Sequence, residues 1–112
     1  PILAVVAVNI AYEADIDEAI AVINKTLGKL FNEREDILEM PTVLGVEALS
    51  ESSVDLKVTA KCRTGQQWAV EREMRKRIKQ DLDAAGIPIP FPTRIVYHRS
   101  EGDVQQVVTE TD

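Results

Sequence analysis

The stretch from Ser53 to Arg63 most strongly constrains how this chain can fold. Apolar and polar residues alternate along it without a break. The apolar set consists of Val54, Leu56, Val58, Ala60 and Cys62. A period of two sends successive side chains to opposite faces of a strand. The pattern therefore predicts a strand in an antiparallel sheet that is covered on one face and wet on the other.

The first half of the chain predicts a strand followed by a helix. Ile2 to Ala11 is apolar in both alternating phases and rich in β-branched residues, which is typical of a central strand. Asp15 with Glu18 three positions later matches a capping box, so a helix should begin there and run to about Phe31. Its buried face should carry Ile16, Ile20, Ile23, Leu27 and Leu30, which repeat at three and four.

The elements on either side of the alternating strand predict a hairpin and a second helix. Thr42 to Leu49 reads as a short strand, and the polar stretch Ser50 to Ser53 can turn the chain back. Thr64 and Gln67 form a second capping-box pattern, and that helix should run to Ala85. Gly86 is the expected C-terminal cap. The apolar face of the second helix carries Val70, Met74, Ile78 and Leu82.

The order β, α, β, β, α points to an α+β fold of the ferredoxin-like βαββαβ type, with an antiparallel sheet and two helices on one face. Two segments compete for the last strand. Ile87 to Pro92 reads IPIPFP, and its prolines leave one edge without N–H donors, so it can pair on one side only. Thr93 to Arg99 has normal donors on both sides and could pair elsewhere, including with another subunit. Both candidates remain open at this point.

Composition excludes several classes of protein. The 112 residues suit one domain, and a net charge of −6 without a clean basic stripe argues against a nucleic-acid partner. No apolar run is long enough to span a membrane. The single cysteine, Cys62, fits a reducing compartment such as the cytoplasm. A start at Pro1 without an initiator Met reads as a piece of a longer protein.

A search for chemistry yields no catalytic, cofactor-binding or metal-binding residues. His98 is the only histidine and has no partner at metal-ligand spacing. Cys62 lies in the apolar phase of its strand, which favours a packed, inert thiol. Trp68, the only tryptophan, should anchor the second helix on the core or on an interface. The basic residues between Arg72 and Lys79 are typical of a solvated helix face.

Taken as a block, the second half resembles the carboxy-terminal cytoplasmic domain of the small-conductance mechanosensitive channel (MscS) family. The matching pieces are Ser52-Ser53-Val54, Thr64-Gly65, Trp68-Ala69-Val70, Ile78-Lys79, Ala85-Gly86-Ile87 and Ile89-Pro90-Phe91-Pro92. The first half agrees more loosely, through Tyr12 and the helix start at Asp15 to Ile20. The resemblance spans about Ile2 to Arg99, and the acidic tail does not match the family pattern.

The resemblance implies a role in assembly rather than catalysis. Residues 1–92 would be a ferredoxin-like cytoplasmic domain and residues 93–99 an inter-subunit barrel strand, while residues 100–112, outside the resemblance, are expected from their polar composition to form a flexible acidic tail. Seven identical subunits would form a vestibule below a membrane pore that releases ions and small solutes under tension. This chain would lack the membrane part and would not conduct by itself. The implied oligomer contacts are Arg94, Ile95, Val96, Tyr97 and His98.

A second hypothesis comes from the fold alone. Ferredoxin-like domains serve many unrelated functions, so the chain could also be a free-standing regulatory module that binds a small ligand between paired domains. Thermal-shift screening against metabolites would separate the two hypotheses. An enzyme is not expected under either hypothesis.

Overall fold

The computed structural model describes residues 1–90 in full, together with the backbone of residues 93–99 and 105–111. The chain runs through β1 (Ile2–Ala11), α1 (Ile16–Glu33), β2 (Thr42–Leu49), β3 (Ser53–Cys62), α2 (Gln67–Ala84), β4 (Thr93–Arg99) and β5 (Gln105–Thr111). The first five elements follow the predicted order. The α+β class, with an antiparallel sheet and two helices, is confirmed.

The alternating strand is the centre of the main sheet. That sheet has the order β1-β3-β2, and β3 is antiparallel to both neighbours. The apolar phase of β3 is buried, and Leu56 and Val58 are fully inaccessible to solvent. The helices cover this face, where their buried residues join the same hydrophobic core as those of the sheet. The one-sided coverage predicted from the alternation is therefore correct.

The prediction that β1 is a central strand is wrong. Within the described residues β1 pairs only with β3 and forms an edge of the three-stranded sheet. Its even-numbered residues from Ala4 onward, including Val6 and Ile10, are buried, whereas Leu3 and Val5 on the other face are 57% and 39% exposed. An apolar run in both phases does not distinguish a strand covered on two sides from an edge strand with an apolar outer face.

The start of α1 agrees with the capping-box prediction, and α2 departs from it. Asp15 Oδ1 accepts a hydrogen bond from the Glu18 N–H at 3.1 Å, as an N-terminal cap should. The N-cap of α2 is Gln66, which makes no side-chain cap. The Gln67 side chain instead accepts from the Gly65 N–H at 2.7 Å. Gly65 has a φ of 94°, so the chain turns there and the helix begins later than Thr64 predicted.

The C-terminal part forms a separate sheet. β4 and β5 are antiparallel, with Thr93 opposite Thr111 and Arg99 opposite Gln105. Among the described residues neither candidate for the last strand joins the three-stranded sheet: residues 87–90 of the first candidate are not a strand, its residues 91–92 lie outside the described residues, and β4 pairs with β5. Regular structure in 105–111 was not expected from the polar tail sequence. The division of the chain at residues 92 and 99 remains a prediction.

Candidate assembly surfaces

A groove of about 730 Å³ runs along the free edge of β1. Three elements line it: residues 6–9 of β1, residues 75–83 of α2, and residues 87–90 of the segment that leaves α2. We call it the β1 groove. It occupies the position next to β1 that a fourth strand of a ferredoxin-like sheet would take.

Proline chemistry explains why the groove stays open beside residues 87–90. The Pro88 carbonyl accepts a hydrogen bond from the Ala11 N–H at 3.1 Å, so the segment starts out against the end of β1. Pro88 and Pro90 have no N–H to donate to β1, so this segment can offer β1 only carbonyl acceptors, and the Pro88 carbonyl is the one that is used. The Ile87 N–H donates to the Leu82 carbonyl at 3.0 Å and closes the end of α2 instead. The segment therefore borders β1 and does not extend the sheet.

The free edge of β1 is only partly satisfied. The Val5 N–H donates to Glu71 Oε2 on α2 at 3.0 Å, and the Ala11 N–H is taken by Pro88. Backbone donors on one edge of a strand recur at every second residue, so the N–H groups of Ala7 and Asn9 point the same way. In the described part of the chain neither of these two donors has a partner. An exposed edge of this kind is a template for an incoming acceptor.

The rim of the β1 groove on α2 is basic. Arg75, Lys79 and Asp83 line the groove, so two cations and one carboxylate border it. The i,i+4 partners of the two cations are Glu71, at 3.9 Å from Arg75, and Asp83, at 2.8 Å from Lys79. Arg72 and Lys76 extend the exposed positive face of the helix. Such exposed pairs are weak in water, so the cations can exchange partners at little cost.

Elsewhere on α2, Arg77 joins the two helices. It donates to both carboxylate oxygens of Glu33 on α1, at 2.7 and 3.2 Å. These hydrogen bonds lower the pKa of Glu33 and raise that of Arg77. A second link joins the Thr26 hydroxyl to Asp81 at 2.5 Å. Both links hold α2 in place beside α1 and so position the wall of the groove.

The opposite edge of the sheet carries a protruding apolar surface, which we call the β2 strip. Its members are Met40, Leu44, Val46 and Leu49, which are between 47% and 71% exposed. Val46 and Leu49 lie opposite the buried residues Leu56 and Val54 of β3, so they share the helix-covered face of the sheet. They remain exposed because they lie on the edge strand, beyond the cover of the helices.

The surroundings of the β2 strip are acidic. Residues 35–51 contain Glu35, Asp36, Glu39, Glu47 and Glu51 and no Lys or Arg. Glu39 and Glu47 approach Lys61 and Lys57 of β3 at 3.3 and 3.8 Å, and both remain more than half exposed. The two edges of the sheet therefore differ in charge as well as in shape.

The predicted oligomer contacts lie on β4. Arg94, Ile95, Val96, Tyr97 and His98 face residues 110, 109, 108, 107 and 106 of β5 in the antiparallel register. Their side chains lie outside the described residues. The contacts of these residues with other subunits therefore stay a prediction.

The other residues singled out from the sequence have structural positions. Cys62 is buried, and burial raises the pKa of its thiol above the ordinary value, which disfavours the reactive thiolate. Trp68 is 62% exposed, so the expectation that it anchors α2 on the core is wrong, and the interface alternative stays a prediction. No cluster of three or more His, Cys, Asp or Glu side chains that could bind a metal occurs in the described part.

Sequence reasoning missed both the β1 groove and the β2 strip. The groove depends on which edge of β1 stays free, which no local pattern encodes. A signal for the strip was present, since Leu44 and Val46 flank Gly45 in a strand with apolar residues in both phases. For the strand adjacent to the hairpin turn, such a pattern is compatible with an edge that meets another molecule.

The described residues form a small α+β domain in which no metal-binding cluster was found. Its distinctive features are two surfaces, the β1 groove and the β2 strip. Its sequence matches the family model of the mechanosensitive ion channel MscS, C-terminal, over residues 4–89. In the described part of the chain no helix is both long and apolar enough to cross a membrane.

Individual proteins agree with that match. A small-conductance mechanosensitive channel of Caldanaerobacter subterraneus subsp. tengcongensis is 36% identical over 91 residues, covering 80% of this chain and 32% of that protein. An MscS family protein of Archaeoglobus fulgidus is 33% identical over 95 residues, covering 84% of this chain and 32% of its own length. The crystal structure of Helicobacter pylori MscS in the closed state aligns with a TM-score of 0.64 at 23% identity, covering 89% of this chain and 39% of that one.

The chain belongs to the MscS family of mechanosensitive ion channels, and it corresponds to their C-terminal domain. The resemblance stated from the residues is thereby confirmed. The family is one of ion channels rather than enzymes. The chain spans about a third of the length of the curated relatives that it matches. Family membership favours the channel hypothesis over a free-standing ligand-binding module.

Proposed function

We propose that this chain is the cytoplasmic assembly domain of a tension-gated channel, and that it shapes a vestibule through which ions and small solutes reach the pore. The observation that carries the proposal is the family match over residues 4–89. The relatives are about three times as long as the matched region, which leaves room in them for a membrane part. The chain alone would then be non-conducting.

Residues 93–99 would make the contacts between subunits, with seven subunits in the ring. In support, β4 belongs to a two-stranded sheet separate from the main one. A lone two-stranded hairpin is only marginally stable in water, so packing against further chains would stabilise it. Arg94, Ile95, Val96, Tyr97 and His98 are the residues through which β4 would act.

The test joins the chain to the membrane portion of the Caldanaerobacter relative and deletes residues 93–99. We expect fewer complete oligomers in native mass measurements and a lost or shifted tension threshold in patch recordings. A double substitution, Ile95→Asp with Tyr97→Asp, keeps the chain length and should act in the same direction. Leu3→Asp, an exposed position on the outer face of β1, is the matched control. Unchanged assembly and gating in both β4 variants would overturn the role of this strand.

A further inference from the structure

Two surfaces that are unexplained by the fold lie on opposite edges of one sheet. The β1 groove borders the free edge of β1, and the β2 strip lies on β2, with β3 between them. Because they flank the same central strand, they cannot meet within one copy of the chain. A second copy can bring its strip to the groove of the first.

The two surfaces match in shape and in apolar character. The floor of the groove includes Ile78 and Leu82, whose side chains belong to the core, and its outer wall is Ile89 with the neighbouring prolines. The strip supplies protruding aliphatic side chains, and Leu49 is the most exposed of them. Burial of large aliphatic side chains in such a groove is favourable before the costs of association are counted.

The charges are complementary. The groove rim carries Arg75 and Lys79 beside the single carboxylate of Asp83, and the same helix exposes Arg72 and Lys76, so positive charge is in excess there. The strip lies within a stretch of acidic residues that has no Lys or Arg from position 35 to position 51. Complementary charges at an interface raise the association rate and fix the orientation of the partners.

The backbone edge adds a third feature. The N–H groups of Ala7 and Asn9 face the groove side of β1 without a partner among the described residues. A carboxylate already binds this edge one step along, where Glu71 accepts from the Val5 N–H. Acidic side chains beside the strip could accept from the two remaining donors in the same way. An apolar ridge with flanking carboxylates therefore suits this groove.

We propose that copies of this chain associate head to tail, with the β2 strip of one copy in the β1 groove of the next. A row of copies joined in this way has a free groove at one end and a free strip at the other, so further copies can add until the two ends meet and a ring closes. This inference rests on the proposed assembly function and specifies surfaces that the β4 strand does not include. The occupant of the groove is thus a second copy of the chain.

The test uses three variants of the full 112-residue chain. Leu49→Asp places a charge on the strip, and Arg75→Glu with Lys79→Glu reverses the groove rim. Leu3→Asp is the matched control, since Leu3 is an exposed leucine on the outer face of β1 outside both surfaces. Sedimentation velocity over a range of concentrations up to the millimolar region measures association, and thermal unfolding confirms that each variant folds.

We expect the strip variant and the groove variant each to associate at least about tenfold more weakly than the original chain, while Leu3→Asp does not. A mixture of the two variants gives the sharpest result. The intact groove of Leu49→Asp can accept the intact strip of the other variant. The mixture should therefore form 1:1 heterodimers and no larger species, which a self-complementary interface would not produce.

The other outcomes overturn the inference in different ways. If the original chain associates and both variants do so equally well, the surfaces are wrong but the assembly function stands. If removal of residues 93–111 abolishes association and Leu49→Asp does not, the C-terminal hairpin makes the contact and the strip does not. If the original chain stays monomeric throughout the range, the head-to-tail contact is wrong and the assembly function is weakened too.

Discussion

The two edge strands of the main sheet differ in how regularly they pair with β3, their common neighbour. β1 pairs with β3 in one continuous register over its 10 residues. β2 pairs with the same strand through two register shifts, between Val43 and Gly45 and between Val46 and Ala48. Bulges twist an edge and hinder pairing with another strand. The β2 edge is thus protected in its backbone, whereas the β1 edge has a continuous register and keeps two N–H donors, at Ala7 and Asn9, without a partner among the described residues.

This difference shows that protection of an edge strand from further pairing and its availability for contact with a partner can be achieved by separate means. On β2 the backbone is irregular and the exposed side chains are apolar, so the strand can contact a partner through side chains only. On β1 two backbone donors have no partner among the described residues, and α2 limits access to this edge through Glu71 and the groove walls. The contrast can be tested by changes that affect both edges, then each edge alone.

The largest effect is expected at the strand that supports both edges. Leu56→Ala on β3 removes a fully buried side chain that lies opposite Val8 of β1 and Val46 of β2. Loss of its packing and the resulting cavity should lower the free energy of unfolding by about 2–5 kcal/mol in urea titrations. Leu44→Ala, at an exposed leucine of β2, should change it by less than about 0.5 kcal/mol. Equal effects would contradict the described core.

An ion pair in the connection between α1 and β2 should make the free energy of unfolding depend on pH. Arg34 donates two hydrogen bonds to Asp36 at 2.9 and 2.7 Å, and these lower the pKa of Asp36. A carboxyl group whose pKa is lower in the folded state stabilises the fold at pH values above its unfolded-state pKa of about 3.9. This stabilisation is lost as the pH falls through the folded-state pKa.

Asp36→Asn should therefore cost about 1–2 kcal/mol at pH 7 and much less at pH 2. Urea unfolding at both pH values measures the difference. Glu35→Gln is the control, since Glu35 is exposed on the neighbouring position. A penalty for Asp36→Asn that is the same at both pH values would show that the charge is not the cause.

The irregular backbone of β2 can be tested at Gly45. Its φ of 103° lies in the region that L side chains rarely adopt, and nothing surrounds the position of a Cβ atom. Gly45→Ala should cost about 1–2 kcal/mol through backbone strain alone. The same change at Gly28 inside α1 should be neutral or stabilising, because helix propensity favours Ala and only the flexible end of Met40 must move. Thermal unfolding of both variants checks the opposite signs.

The smallest effect concerns the β1 edge. Glu71→Ala removes the acceptor for the Val5 N–H and should cost about 0.5–1 kcal/mol. Amide hydrogen exchange is the sharper measurement. In the unmodified monomeric chain Ala7 and Asn9 should exchange faster than Val5 and Ala11, and the substitution should speed exchange at Val5 only. Glu73→Ala, which removes the pair with Arg77, is the control. Slow exchange at Ala7 and Asn9 would mean that this edge is already paired.

Much of the fold could be predicted because its signals are local. Periodicity alone predicted the buried face of α2, where Val70, Met74 and Leu82 are fully buried, and Gly86 ends that helix with a φ of 73° as expected. The start of α2 was misplaced because Gly65 turns the chain after Thr64 and shifts the first helical residue. A capping motif predicts a helix start only where the turn before it allows the motif to form.

The assembly surfaces could not be predicted in the same way. The size of Trp68 suits a buried anchor, yet the residue is exposed. Its exposure depends on the position of the first turn of α2 relative to the sheet. The prolines of residues 88 and 90 correctly indicated a segment that pairs on one side at most. Their sequence did not indicate that the space beside them stays open as a groove.

The sequence by itself determined the order of the first five elements, the buried faces of β3 and α2, and the family. These follow from spacing within one helix or strand and from a run of motifs along the chain. Only the tertiary structure decided that β3 is central, that β1 is an edge and that the groove and the strip lie on opposite sides. Strand order is set by pairing between residues far apart in the chain, such as Ile2 with Cys62, and no local pattern records that choice.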